Sequence, residues 1–286
     1  MNAFFATLCV ILFSMTVPAT RIAALSLPPE LIVGFRLAGA GLICLAVVLF
    51  LDRWVPPRRI WLPLLATSVG SVSGFSFLIS LAMRTAPGTH GAIALAALPA
   101  ATAAYASLRD GVNPGPRFWI YCVFGTLASI GFFLAGAQGG FQAGDLPLMA
   151  SVFAGAFGYV EGGRLSREFG GRRVMSWAIL LALPLATTLL LTSHADFPRA
   201  PIVWSALAYL AVVSQSLGMF LWYRVLARGP MVKIAMIQLL QPFFTLMGAV
   251  LLLGESAAPS TWAIAAVVAV TVFAANREKA QRLKPA

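Results

Sequence analysis

Ten apolar stretches, each near twenty residues long and parted by short loops, constrain this chain more than any other feature. They run over approximately 2–20, 30–51, 60–83, 88–108, 117–136, 143–163, 174–192, 201–223, 231–253 and 260–275. A helix needs about 20 mostly apolar residues to cross the hydrocarbon of a bilayer, and only there are its backbone groups satisfied without water. The loops hold turn chemistry: "SLPPE", "RWVPPRR", "APGTHG", "NPGPR", "SREFGGRR" and "ESAAPS". Of 286 residues, 60% are hydrophobic and only 10% charged, with mean hydropathy +0.88. A soluble domain carries about 25% charged residues, so lipid is the expected solvent. The fold class that follows is an all-α integral membrane protein with ten transmembrane helices.

The net charge of +11 raises the possibility of nucleic-acid binding, but the basic residues sit in short loops between apolar runs. With the N-terminus inside, the inner loops and tail hold sixteen Lys and Arg residues, among them Arg53, Arg58, Arg59, Arg109, Arg172, Arg173, Arg224 and Arg228. The outer side keeps three: Arg21, Arg84 and Arg199. Positive residues near span ends stay cytoplasmic, so both termini are expected in the cytoplasm of a bacterium, with the chain in its inner membrane. No nucleic acid is expected as a partner; the lipid bilayer is one. Residues 1–19 resemble a signal peptide in length but lack its charged start, so a retained first span is expected. Cys9, Cys44 and Cys122 lie in separate apolar segments without metal-like spacing, as small core residues do. No cofactor or metal is expected.

Sliding the chain by 143 residues brings Trp61 onto Trp204 and Trp119 onto Trp262. The same shift pairs Pro87 with Pro230, Pro99 with Pro242 and Pro116 with Pro259. Composition alone predicts about a tenth of one Trp pair and about half of one Pro pair, so duplication is the better account. Each half has five spans, an odd number, and the second copy therefore enters the membrane from the opposite side. We expect a first repeat over 1–140, a second over 141–277 and a basic cytoplasmic tail over 278–286. Inverted repeats of this kind form secondary transporters, whose site lies between the repeats where helices are broken by Gly or Pro.

Pro99 and Pro242 fall near the centres of the fourth and ninth spans and are candidate hinges, each opening a Pro-x-x-Thr pattern that ends at Thr102 or Thr245. Gln238, Gln241 and Thr245 share one helical face. These residues are candidates to line a polar cavity; the alternative is a packing kink with each threonine bonded to its own helix. Tyr105 and Tyr159 are candidates for an apolar or aromatic part of a substrate. Ser76 is a candidate from the serine-rich third span, where Gly70-x-x-x-Gly74 suggests close packing. Lys233, with His90 as its counterpart under the shift, either meets an acidic group of the substrate or is a positive-inside residue. Trp222 and Tyr223 are expected in an interfacial aromatic belt, with Gln215 a pocket candidate.

The residues "LPPELIVGFRLAGAG", "AGDLPLMASVFAGAFGYVEGGRLSRE" and "QPFFTLMGAVLLLGESAAPSTWAIAAVVAVTVFA" resemble the EamA-like branch of the drug/metabolite transporter (DMT) superfamily. The likeness covers essentially the whole chain and implies two inverted five-helix repeats with alternating access. It also implies small metabolites as substrates, often amino acids or amphipathic compounds, commonly moved outward. The first half departs from the family's Gly-Glu after the fourth helix, having Gly111-Val112, so Glu255 is assigned a helix-end structural role.

Charges inside a membrane are functional candidates. Arg36 lies six residues after Glu30, roughly 9 Å below the outer end and within snorkelling range. The resemblance implies a fold-stabilising role for it. Glu161 is the one carboxylate placed inside a span; it is either a proton carrier or the partner of Arg164 one turn on. The two histidines stand isolated, and no His-Glu-x-x-His, Gly-x-Ser-x-Gly or phosphate loop is present. The expected function is therefore secondary transport of a small organic metabolite as an exporter, with protons as the candidate coupling ion. Import or facilitated movement by the same fold and a membrane-embedded enzyme are the alternatives, and the protein is a monomer or homodimer.

Overall fold

The computed structural model describes residues 2–110, 112–113, 116–117, 119–120, 123–124, 127, 141–195, 200–228, 238, 240–277 and 281–282. The elements among these are helices joined by short turns, apart from a two-residue antiparallel pairing of Val112–Asn113 with Gln281–Arg282. Among the described residues six helices are long and apolar enough to cross a membrane. They are the first span (Phe4–Ala24), second (Pro29–Asp52), third (Arg58–Ala82), fourth (Gly88–Arg109), seventh (Gly171–Thr192) and eighth (Pro201–Arg228). The sixth, Asp145–Phe169, is 25 residues long but carries charges at both ends and Glu161 within. The ninth shows Gln241–Leu253 and the tenth Pro259–Arg277. The fifth span, Lys233, Cys122 and Arg199 lie wholly or largely outside the described residues. The eighth helix ends at Arg228, five residues past its expected end at 223, and the sixth at Phe169, six past its expected end at 163, because charged residues continue both helices beyond their apolar stretches.

The bundle keeps the two-fold register seen in the sequence. The third span begins at Arg58 and the eighth at Pro201, 143 residues later. The second span packs on the seventh and the fourth on the ninth, each against its own counterpart. The third packs on the sixth, as the eighth packs on the first. Exchanging the halves therefore maps these neighbour pairs onto one another.

Two of the three π-helical stretches among the described residues repeat as well; the one at the end of the second span, Val47–Asp52, has no counterpart in the seventh. The third span turns π-helical over Ser68–Gly74 and the eighth over Tyr209–Gly218. Ser73 Oγ donates to the Ser68 carbonyl at 3.0 Å. Its counterpart Ser216 donates to the Ala211 carbonyl at 2.8 Å. Each hydroxyl reaches the carbonyl five residues back, the spacing that a π turn presents, and such turns gather at functional sites. The fourth span breaks after Leu95 and restarts at Leu98; in the ninth a helix starts at Gln241, 143 residues on. Pro99 and Pro242 are thus the second residue of a new helix, where a missing N–H leaves no bond unmade.

Close packing is set by glycine where the third span meets the sixth. A Cβ on Gly70 would lie 2.8 Å from the Gly158 nitrogen, and one on Gly158 would collide with the Ser71 backbone. The expected role of Gly70 in close approach is met, with Gly158 as its partner. The other end of the bundle is tied by a carboxylate. Gly254, at φ 66°, turns the chain in the left-handed region, and Glu255 follows it. Glu255 accepts from the Gly88 N–H at 2.8 Å and the Thr89 N–H at 2.9 Å, so it caps the first turn of the fourth helix. Glu255→Ala should lower unfolding stability by about 1 kcal/mol, read as a falling thermal midpoint in detergent that Glu255→Gln recovers in part.

Candidate functional site

Between the halves lies a cavity of about 10 Å³ walled by Phe13, Thr16, Arg36, Phe75, Leu95, Leu98, Tyr159, Ser214, Met219 and Gln241. That is room for about one water. Two pairs of its wall residues are 143 apart, Thr16 with Tyr159 and Leu98 with Gln241, so the cavity sits where counterpart helices face each other.

Arg36 dominates the polar side. It is 1% exposed and turns inward, in contrast to the snorkelling geometry its depth allowed. Its Nε donates to Gln215 Oε1 at 2.8 Å and an Nη to Ser214 Oγ at 3.2 Å. Thr16 Oγ1 and Ser214 Oγ are 2.9 Å apart, and Ser76 Oγ donates to Gln215 Oε1 at 3.4 Å. The second, third, eighth and first spans are thereby tied through one polar cluster. Gln215 is offered to Arg36 by the π-helical stretch of the eighth span.

The other expected residues divide. Gln241 and Tyr159 reach the cavity wall. Gln238 donates to Gln241 Oε1 at 3.3 Å, just behind it. Ser76 stands in the Arg36 cluster without forming the wall. Thr102 bonds back to the Leu98 carbonyl at 2.8 Å, the bland alternative for that residue. Thr245 is fully buried and its hydroxyl has no partner among the described residues. Tyr105 lies away from the cavity, donating to Glu161 Oε1 at 3.0 Å.

Four expectations are corrected. Glu161 pairs with Arg109 Nε at 2.9 Å, and Arg164 instead donates to the Arg109 carbonyl, because the fourth helix presents Arg109 across the gap that Arg164 was expected to fill. Glu161 is not alone among buried acids: Asp145 is 1% exposed, at the start of the sixth helix. His90 is not isolated, since its Nδ1 lies 2.8 Å from Asp145 Oδ1, while Asp145 Oδ2 accepts from the Gln142 N–H. Trp222 and Tyr223 are core residues, 1% and 0% exposed, because the eighth helix turns that face onto the first and sixth spans. The Trp222 ring meets Phe13 and Tyr159 edge-on or tilted, and Tyr223 OH donates to the Gly158 carbonyl at 3.0 Å.

Thr16, Leu98 and Ser214 on the wall were not among the expected site residues. The 143-residue shift held the signal for two of them, since Leu98 is the counterpart of Gln241 and Thr16 of Tyr159. Polar ties close both ends of the bundle. One end holds Glu255 on the fourth helix and the His90–Asp145 pair. The other holds Glu161 with Arg109, Arg59 with Glu168, and a groove of about 470 Å³ where Asp52 meets Arg172 at 2.6 Å beside Arg173, Arg224 and Arg228.

A multi-pass helical bundle whose similar halves meet at a buried polar cavity is a membrane transporter in architecture. The sequence pattern of the EamA-like transporter family matches this chain twice, over residues 1–134 and 142–277. The chain belongs to the EamA-like transporter family. A relative from Bacillus subtilis (strain 168), named uncharacterized transporter YdeK, is 37% identical over 279 residues, spanning 94% of each chain. A solved crystal structure shares the fold at 20% identity, with TM-score 0.66 over 96% of this chain and 97% of that one.

Proposed function

We propose that this protein is a secondary transporter that moves a small organic metabolite, an amino acid or amphipathic compound, outward across the bacterial inner membrane. Its ten helices form two inverted repeats, 1–140 and 141–277, ahead of a cytoplasmic tail, with both termini inside. The observation that carries this reading is the cavity wall itself, lined by Thr16 with Tyr159 and Leu98 with Gln241, counterparts from the two halves. A site on a two-fold axis can be exposed to either side by rocking one repeat against the other. The helix starts at Leu98 and Gln241 supply the hinges, at Pro99 and Pro242. Both ends are tied here and the cavity holds about 10 Å³, which fits an occluded state with no substrate inside.

The grouping of helix ends supports the orientation. Arg59, Arg109, Arg172, Arg173, Arg224 and Arg228 gather at the end opposite to Glu255 and Asp145. Anionic lipid favours that end in the cytoplasmic leaflet. Glu161, held by Arg109 and Tyr105, is the candidate proton carrier of the sixth span. Purified protein in liposomes, offered a metabolite panel under imposed pH and voltage gradients, tests the reading. Movement of at least one solute is expected, and its response to the pH gradient should weaken in Glu161→Gln. Turnover of a lipid with no solute moved would make the protein an enzyme.

A further inference from the structure

Arg36 carries a charge that no acid among the described residues balances. Its guanidinium is 1% exposed, its hydrogen-bond acceptors are the neutral Gln215 and Ser214, and one Nη has no partner among the described residues. Gln215 Nε2, in the same cluster, is a second buried donor without one. The buried or paired acids are engaged elsewhere: Asp52 with Arg172, Asp145 with His90, Glu161 with Arg109, Glu168 with Arg59, and Glu255 with a helix start. Glu30, a turn and a half before Arg36, lies in the first turn of the second helix. Removing a guanidinium from water without a counter-charge costs several kcal/mol. Such a group persists where an anion completes it, and Arg offers a planar fork matched to a carboxylate.

We infer that Arg36 is the anion hook of the central site and that the transported compound is a carboxylate with an apolar or aromatic body. The inference rests on the transport reading and narrows it. Arg36 and Ser214 lie on one side of the cavity, while Phe13, Phe75, Leu95, Leu98 and Met219 supply apolar wall. A carboxylate entering from either side replaces the missing partner of the free Nη, and the body of the molecule displaces side chains that touch here. A cation of the same shape meets a like charge in a dry site and is excluded.

The test uses thermal unfolding of the purified full chain in detergent with three matched probes: 3-phenylpropionate, 3-phenylpropanamide and 3-phenylpropylamine. The acid should raise the thermal midpoint, with half-saturation roughly tenfold below that of the amide, and the amine should have no effect. Gln215→Glu places a carboxylate on Arg36 without changing side-chain shape. It should raise the midpoint of the ligand-free protein and abolish the response to the acid. Arg36→Gln should also lose the response, and Gln215→Glu keeps the test open if Arg36→Gln does not fold. Equal responses to acid and amide, no response to the acid, or an undiminished acid response in Gln215→Glu would each overturn the inference. Movement of another solute by the liposomes alongside such a result leaves the transport reading intact, whereas no movement of any solute removes both.

Discussion

Gly158→Leu should yield no folded protein. The sixth helix touches the third at this residue, where a Cβ would collide with the backbone of Ser71 and where Gly70 already lies against the Gly158 nitrogen. Overpacking usually costs 1–3 kcal/mol because side chains can yield. Here the obstacle is main chain inside a π-helical segment, whose only relief is separation of the two helices. Separation also breaks the bond from Tyr223 OH to the Gly158 carbonyl and exposes Ser71. The sum places the loss beyond about 4 kcal/mol, the range of rare and diagnostic substitutions. Phe153→Leu, on the 62% exposed face of the same helix, is the control and should change stability by less than about 0.5 kcal/mol. Size-exclusion profiles and thermal scans of both variants in detergent provide the comparison. A monodisperse Gly158→Leu protein melting like the parent would mean the helices do not meet there.

The second large effect is expected for Trp222→Ala. Its indole is 1% exposed and packs on Phe13 at 6.1 Å and Tyr159 at 5.9 Å between centroids. Large-to-small core changes of this kind cost 3–5 kcal/mol in water-soluble proteins. Lipid is itself apolar, so the transfer part shrinks in a membrane, and packing contacts and the residual cavity remain. About 3 kcal/mol follows, at the low end of that range. The indole N–H has no hydrogen-bond partner among the described residues, so no buried acceptor is stranded by its removal. Phe13 and Tyr159 both form the wall of the central cavity, which should widen as they lose their support. The thermal midpoint should therefore fall while the range of accepted solutes broadens. Trp222→Phe should restore most of the stability, and an unaltered midpoint in Trp222→Ala would contradict the packing described.

The starts of the helices were legible in the sequence because hydropathy and turn residues mark them directly. Arg58 and Pro201 open the third and eighth helices within two residues of the expected positions. The duplication was legible because Trp and Pro are rare enough for coincidences to count. The prolines led to the helix starts at Leu98 and Gln241, since proline starts a helix far more readily than it continues one. The site was less legible. Hydropathy reports how deep Arg36 lies, and depth alone does not say whether its long side chain climbs to the surface or turns toward Gln215. The same limit applies to Glu161, whose nearest sequence neighbour of opposite charge is Arg164 but whose partner arrives from 52 residues away. Trp222 looked interfacial because it stands near a basic helix end, and only the first and sixth helices packed beside it make it core. The π-helical stretches had a trace in the serines paired across the shift, Ser73 with Ser216 and Ser71 with Ser214, which hydropathy does not register.

Accessibility of one residue from each half to reagents applied on each side of the membrane tests the central claim most directly. In a chain with Cys9, Cys44 and Cys122 replaced by alanine, Leu98→Cys and Gln241→Cys place single thiols on opposite walls of the cavity. Oriented vesicles are then treated with a membrane-impermeant thiol reagent from the inside or the outside. Both positions should react from both sides, each more slowly when the opposite side is held open by substrate. Thiols that stay unreactive from both sides under every condition, or reaction confined to a single side for both residues, would contradict a shared site alternately open to the two faces.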